Sequence, residues 1–265
     1  MEALAMMDLP TTLAGFGVGV IVGMTGIGGG ALMTPALVFF FGVPPQTAVG
    51  TDLLVACITK LFGVWVHGRR GTVDWQVARR LAGGSLPAAL LVVLLLSRND
   101  ASPVHSELML NALGTALLLT AAGLVLRGRL HRLGKALRTR QPTDFKRLQP
   151  TLTVLAGAAL GCLVALTSVG AGALGTVMLV YLYPYRLTAA KLVGTDLAHA
   201  IPLTLVAGAG HLVLGNVDLG LLANLLLGSI PGILVGSALS TKAPEFVVRH
   251  AIAGVLVLVA SKLLL

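Results

Sequence analysis

The chain repeats itself, and the register of that repeat limits the fold more than any other feature. Thr25-Gly-Ile-Gly-Gly-Gly-Ala-Leu32 returns as Thr167-Ser-Val-Gly-Ala-Gly-Ala-Leu174, and Gly50-Thr-Asp-Leu53 returns as Gly194-Thr-Asp-Leu197. His67, Gly71, Val73 and Asp74 return at a constant offset as His211, Gly215, Val217 and Asp218. Gly84-Ser-Leu-Pro87 returns as Gly228-Ser-Ile-Pro231. An arbitrary apolar chain would not keep these residues in one register. Two repeats, each too apolar for water and joined by a basic linker, is a common build among secondary transporters. The repeats divide the chain into residues 1–126, a basic cytoplasmic linker at 127–150, and residues 151–265.

Composition agrees with a membrane setting. Hydrophobic residues make up 56% and charged ones 11%, where a soluble domain carries about 25% charge. The 33 glycines suit close helix packing in lipid. A net charge of +9 raises the question of nucleic acid, but eight of the 19 Lys and Arg lie between Arg127 and Arg147. Four more are Arg69, Arg70, Arg79 and Arg80. Basic loops beside apolar spans are the positive-inside signal, so no nucleic-acid partner is expected. Cys57 and Cys162 both sit in apolar stretches and read as small buried hydrophobes, not a disulfide. The first residues carry no basic run, so no cleaved signal peptide is expected.

The expected fold is all-α, a polytopic membrane helix bundle. Apolar stretches run at roughly 11–42, 48–67, 77–97, 107–126, 151–183, 192–214, 219–240 and 247–265. Most match the ~20 residues of a spanning helix. The first and fifth are too long, and each is interrupted by small residues, at Gly23 to Gly30 and Thr167 to Gly175. Each crosses once as a broken helix, or enters halfway and turns back. Turning back leaves three spanning helices per repeat and inverts the second repeat. Loops 68–80, 127–147, 184–191 and 241–249 then share a side, with 16 basic residues against 2 opposite. Single crossing would place the loop with four arginines on the same side as its counterpart at 212–224, which has none. The charge pattern favours inversion. Irregular backbone at membrane depth must be buried in protein or line a cavity, so the two glycine runs are expected to meet.

These runs are candidate anion sites. Glycine permits positive φ and exposes backbone N–H groups. A half-helix starting near Ala31 would aim free N–H groups and its positive dipole end into the turn. The substrate-binding candidates are Thr25, Gly26, Gly28, Gly29 and Gly30, with Thr167, Ser168, Gly170 and Gly172. The competing reading is that these glycines only let helices approach. The run is no P-loop, because no Gly-Lys-Ser/Thr follows.

Asp52, Lys60 and Asp196 are candidates for coupling or counter-charge. An ionisable group within a span is costly and functional by default. For the aspartates, helix N-capping by Thr51 or Asp52 is the plainer alternative. Lys60 stands where the second repeat has Thr204, which packing symmetry does not explain; snorkelling to an interface is its plainer reading. His67 and His211 read as interfacial caps of helix ends. His199 lies inside the sixth stretch, and histidine can shuttle protons. No zinc-ligand spacing occurs.

The run of small residues followed by Pro35, then Ala48-Val-Gly-Thr-Asp, then Gly-Arg-Arg-Gly-Thr-Val-Asp ending at Asp74, with a weaker second copy, resembles the TauE/SafE family. The second copy departs at Ala171 and Val177. The resemblance implies a bacterial inner-membrane, multi-pass permease for a sulfur oxyanion such as sulfite, or for an organosulfonate. It implies a small anionic substrate, with proton coupling an open expectation. No catalytic residue, cofactor or metal is expected, and a homo-oligomer stays open. A passive anion channel and an intramembrane aspartyl-type enzyme are the alternatives. Proton-driven saturable flux would argue against the first. Peptide cleavage lost in Asp52→Asn would mark the second.

Overall fold

The computed structural model describes residues 8–25, 29–69, 71–98, 103–140, 142–239 and 245–264. The described residues form helices and connections, with no strand among them. The helices are α1 (Leu9–Thr25), α2 (Gly30–Phe41), α3 (Pro45–Arg69), α4 (Trp75–Arg98) and α5 (Pro103–Arg140). They continue with α6 (Pro142–Thr167), α7 (Ala173–Leu182), α8 (Ala189–Val213), α9 (Leu219–Leu239) and α10 (Glu245–Leu264). Among the described residues, five helices hold windows long and apolar enough to cross a membrane: α4, α5, α6, α8 and α9. Leu90, Leu91, Leu94 and Leu95 of α4 and Leu234 and Leu258 further on lie exposed. Such apolar faces are natural against lipid and costly in water. This is a polytopic helical membrane protein.

Helix boundaries follow local chemistry. Gly42 ends α2 in the left-handed region at φ 62°, and Val43 N–H reaches back to the Leu37 carbonyl at 3.1 Å, a glycine stop followed by Pro44 and Pro45. The Thr188 side chain caps α8 by accepting from Lys191 N–H. The basic stretch read as a linker loop at 127–147 is helix through Arg140 and again from Pro142. Its Leu, Arg, Lys and Ala residues are strong helix formers, so the positive charge rides on helix extensions.

The halves interlock through four helix pairs. α1 packs against α9, α4 against α6, α3 against α8 and α5 against α10. The glycines set how close they come. A Cβ on Gly84 of α4 would strike the Val154 carbonyl, and one on Gly228 of α9 would strike the Thr12 carbonyl. These contacts are sequence-equivalent across the repeats. Gly19 also faces α9, where a Cβ would lie 2.7 Å from the Ser229 carbonyl, while Gly17 meets nothing within 4 Å. Gly17 and Gly19 look alike in sequence, yet only one sits in the seam.

The α3·α8 pair runs antiparallel. Gly50, near the start of α3, abuts the Asn216 carbonyl beyond the end of α8, and Gly194 abuts the Thr72 carbonyl beyond the end of α3. Asp218 N–H donates to Thr51 Oγ1 at 3.1 Å, and Asp74 N–H donates to Thr195 Oγ1 at 2.9 Å. α6 and α7 form a hairpin. Gln149 Nε2 donates to the Leu182 carbonyl, and the Thr153 and Tyr183 hydroxyls share a 2.8 Å bond. The chain therefore returns to the end at which α6 begins. At that same end Arg186 grips Asp74 through Nε–Oδ2 at 2.6 Å and Nη2–Oδ1 at 2.9 Å. This ties the α7–α8 connection to the α3–α4 connection.

Candidate functional site

The two interruptions touch. The backbone of Gly30, first residue of α2, lies so close to the Ser168 carbonyl that a Cβ would not fit. Ser168 itself has φ 59°, and Gly170 and Gly172 have φ 117° and 138°. Three left-handed residues within five turn the chain between α6 and α7. Such φ values are natural for glycine and strained for serine. Thr167 Oγ1 donates to the Leu163 carbonyl at 2.6 Å and accepts from Val169 N–H at 3.1 Å, so it finishes α6 and has no proton to spare. Of the first amides of α7, Gly175 N–H is taken by the Gly170 carbonyl at 3.1 Å and Thr176 N–H by the Gly172 carbonyl at 3.0 Å, which leaves those of Ala173 and Leu174 at the helix start. On the other side, Gly29 is right-handed, at φ −69° and ψ −36°. Positive φ is therefore absent at Gly29, and only Gly30 makes the close approach. Gly26 and Gly28 lie outside the described residues, as do the side chains of Thr25 and His67.

The three ionisable candidates are buried together. Asp52 is 1% exposed, Asp196 3% and Lys60 8%. Asp52 stands about two turns inside α3, and Asp196 equally deep in α8. Neither is a helix cap, because the helices start earlier than the repeated motif suggested. Asp52 Oδ2 accepts from Thr34 of α2 at 2.7 Å. Its Oδ1 has no hydrogen-bond partner. Ser168 Oγ is within electrostatic reach of the same carboxyl but makes no hydrogen bond of good geometry. Lys60 Nζ donates to the Ala171 carbonyl at 3.1 Å, inside the α6–α7 turn. Lys60 does not snorkel. It reaches from one half into the interruption of the other, and the charges of Asp196 and Asp52 act on it.

A small cavity opens beside Asp52, walled by Val18, Gly29, Met33, Thr59 and Ser229. Its room for the centre of a water-sized sphere is about 20 Å³. One water needs ~10–15 Å³ by the same measure, so the cavity holds one water and no oxyanion. Among the described residues no three His, Cys, Asp or Glu side chains cluster as for a metal. Cys57 and Cys162 are both free thiols.

Several polar residues of this region were not legible as site residues in the sequence. Thr34 is one. His199, 1% exposed, is legible as a histidine within a span but not as a neighbour of this site; its Nε2 shares a 2.8 Å bond with Ser85 Oγ. The available signal was its spacing, three residues after Asp196 on one helix face. His211 is fully buried and bonds the Ala165 carbonyl at 2.9 Å. It straps α8 to α6 and is no interfacial cap.

Residues 11–263 match the model of the family described as sulfite exporter TauE/SafE. The chain belongs to the TauE/SafE family. Among its relatives, "Probable membrane transporter protein YjnA" of Bacillus subtilis (strain 168) is 43% identical over 238 residues, 89% of this chain and 91% of that one. YdhB of the same organism, under the same description, is 29% identical over 89% of this chain and 92% of its own. MJ0441 of Methanocaldococcus jannaschii, again a "probable membrane transporter protein", is 26% identical over 84% and 78%. No solved structure matches the chain. Family and fold together make this TauE/SafE protein a multi-pass membrane transporter.

Proposed function

We propose that this TauE/SafE protein is a secondary transporter of a small anion, a sulfur oxyanion of the sulfite kind or an organosulfonate, in a bacterial inner membrane. Its two repeats are inverted relative to each other, the first and fifth segments re-enter, and transport proceeds by rocking one repeat against the other. The antiparallel α3·α8 pair and the α6–α7 hairpin support that arrangement. So does the charge bias between the two sides.

One observation carries the substrate class. Lys60, a cation from α3, ends on the Ala171 carbonyl of the turn that itself touches Gly30. A single cation, first-turn amides and the Ser168 hydroxyl thus converge where both helices break. Anions bind well at such helix starts. The cavity beside Asp52 takes only a water, so an oxyanion enters after the surrounding helices part. That is what alternating access requires, and a standing channel does not.

The charges also bear on coupling. Asp52 and Asp196 oppose one Lys60, so an added anion meets a net negative site if both carboxyls are ionised. At 4 Å two unit charges interact by about 4 kcal/mol at an effective dielectric of 20. Anion and proton entering together avoid that repulsion.

The test is uptake by the full-length protein in liposomes, using labelled sulfite, thiosulfate, sulfate and taurine under imposed pH gradients. Saturable, gradient-driven uptake of a sulfur anion is expected. Uptake of all four no faster than in protein-free liposomes overturns the reading.

A further inference from the structure

The duplication supplies an internal control. Both aspartates sit in Gly-Thr-Asp-Leu, yet their surroundings differ at every polar position that breaks the repeat. Asp52 is latched by Thr34 at 2.7 Å. The equivalent residue, Thr176, turns its hydroxyl to its own helix and donates to the Ala173 carbonyl at 2.9 Å. Asp196 Oδ1 is left buried with no partner. Where the first repeat has Met33 the second has Gly175, and a Cβ there would strike Asp196 Oδ1. The missing side chain makes room for that carboxyl. Where the first repeat has Val55 the second has His199, and where the second has Thr204 the first has Lys60. Each departure from symmetry places chemistry around Asp196.

We propose that Asp196 is the proton carrier of the transport cycle, and that His199, held by Ser85, is the residue that positions and exchanges its proton. Asp52 is a fixed latch between α2 and α3. This rests on the anion-transport reading, because a co-transported anion needs a proton-binding partner.

The physical case is one of unsatisfied groups. A buried carboxylate with no donor is costly in a low dielectric, and taking up a proton removes that cost. His199 Nδ1 is also buried without a partner, while Nε2 bonds Ser85. Asp196 and His199 lie three residues apart and so share a face of α8. The groups that face them are few. From α3 come Lys60, with Asp52 beyond it, and the Cys57 thiol. From α4 comes Ser85. α6 brings the Cys162 thiol to the adjoining cluster, and α7 brings the backbone at Gly175. Lys60 is held by Ala171 in this conformation. When the turn moves, its ammonium is free to pair with Asp196 and release the proton.

The experiment has two arms on the purified full-length protein. The first needs no substrate: infrared difference spectra between acid and neutral buffer. Wild type and Asp52→Asn are expected to show a protonated-carboxyl band that is lost in Asp196→Asn. In His199→Gln the midpoint of that band is expected to shift. The second arm is labelled-sulfite flux in liposomes. For one proton per anion, wild type accumulates about tenfold per unit of imposed pH gradient. In Asp196→Asn that accumulation is lost and the remaining exchange no longer varies with pH. A band that survives in Asp196→Asn, or is lost in Asp52→Asn instead, overturns the proposal. So does an unchanged midpoint in His199→Gln, which decides the matter if Asp196→Asn does not fold. A wild type with the band but no flux of any anion would sink the transport reading while leaving the proton site standing.

Discussion

The backbone amide of Asp218 donates to the hydroxyl of Thr51 at 3.1 Å, across 167 residues of sequence. Its repeat equivalent, Asp74 N–H to Thr195 Oγ1, closes the opposite end of the α3·α8 pair at 2.9 Å. Both threonines are fully buried. Thr51→Val and Thr195→Val keep the shape and remove the acceptor of a part-buried bond, which costs about 0.5–1.5 kcal/mol each. The two sites lie at opposite ends of the pair, so the double variant should be close to additive. Unfolding of the detergent-solubilised protein measures this. A single variant without effect would mean that its bond only decorates the helix end.

Glycine substitutions separate seam from surface. Gly19→Val should unfold or badly destabilise the protein, because the Ser229 carbonyl already occupies the space. Gly17→Val should be tolerated, since its Cβ meets nothing within 4 Å. At the interruption, Gly30→Ala should abolish transport. Gly29→Ala should leave it active, because Gly29 is right-handed and the nearest atom to its Cβ is Val22 Cγ2 at 3.9 Å. Expression, thermal stability and flux for the four variants decide it. Equal behaviour of Gly29→Ala and Gly30→Ala would break the assignment of the contact to Gly30.

The sequence made the helical class and the two interruptions readable, because both are local. Each glycine of Gly26-Ile-Gly-Gly-Gly30 costs a helix interior about 1 kcal/mol relative to alanine. Loop charge left a trace too, in the four arginines of the 68–80 loop against none in 212–224. Partner identity left none. Gly17 and Gly19 differ only in which faces α9. Thr34 reaches Asp52, and His199 reaches Ser85 114 residues away, only once helices have been docked in register. Capping was the wrong reading of Asp52 because α3 starts at Pro45, further upstream than the duplicated motif. The basic stretch 127–147 is largely helix because arginine and lysine are good helix formers, and charge alone does not mark a loop.

Topology can be checked with thiols. In a Cys57→Ala, Cys162→Ala background, Tyr185→Cys and Leu219→Cys place labels at exposed positions near opposite ends of the bundle, 64% and 65% accessible. With inverted repeats, an impermeant thiol reagent should reach Leu219→Cys from outside intact cells and Tyr185→Cys only after the membrane is opened. Single crossing gives the reverse pattern, so Tyr185→Cys reached from outside and Leu219→Cys only after opening would refute inversion.

The Asp74–Arg186 clasp predicts an acid limit. Burial opposes the charge on Asp74, but the Arg186 fork and the Val77 and Gln76 amides outweigh it and hold the carboxyl below its usual range. A depressed folded-state value means the stabilisation is present above the ordinary Asp pKa of about 3.9 and fades as pH falls through the folded value. Arg186→Gln should therefore lower the melting temperature at neutral pH. The gap to wild type should close in strong acid. The effect is modest because Arg186 is 42% exposed and solvent screens the pair. A gap independent of pH would assign the loss to packing over the Tyr183 ring, whose centroid is 5.9 Å from the guanidinium.

Lys60 gives the sharpest outcome. Burying a lysine mid-span costs about 2.5–3.5 kcal/mol on insertion scales, and here the ammonium donates to the Ala171 carbonyl at 3.1 Å. Lys60→Met keeps the length and removes the charge, so insertion and folding should be retained or improved. Transport should fall to background, since the cation that faces the turn is gone. Lys60→Arg should rescue poorly: the guanidinium is larger, and it does not release its proton. Flux of labelled sulfite and taurine, with thermal stability alongside, measures both effects. If Lys60→Met transports at the wild-type rate, the charge is dispensable and the anion is held by the amides of the interrupted helices alone.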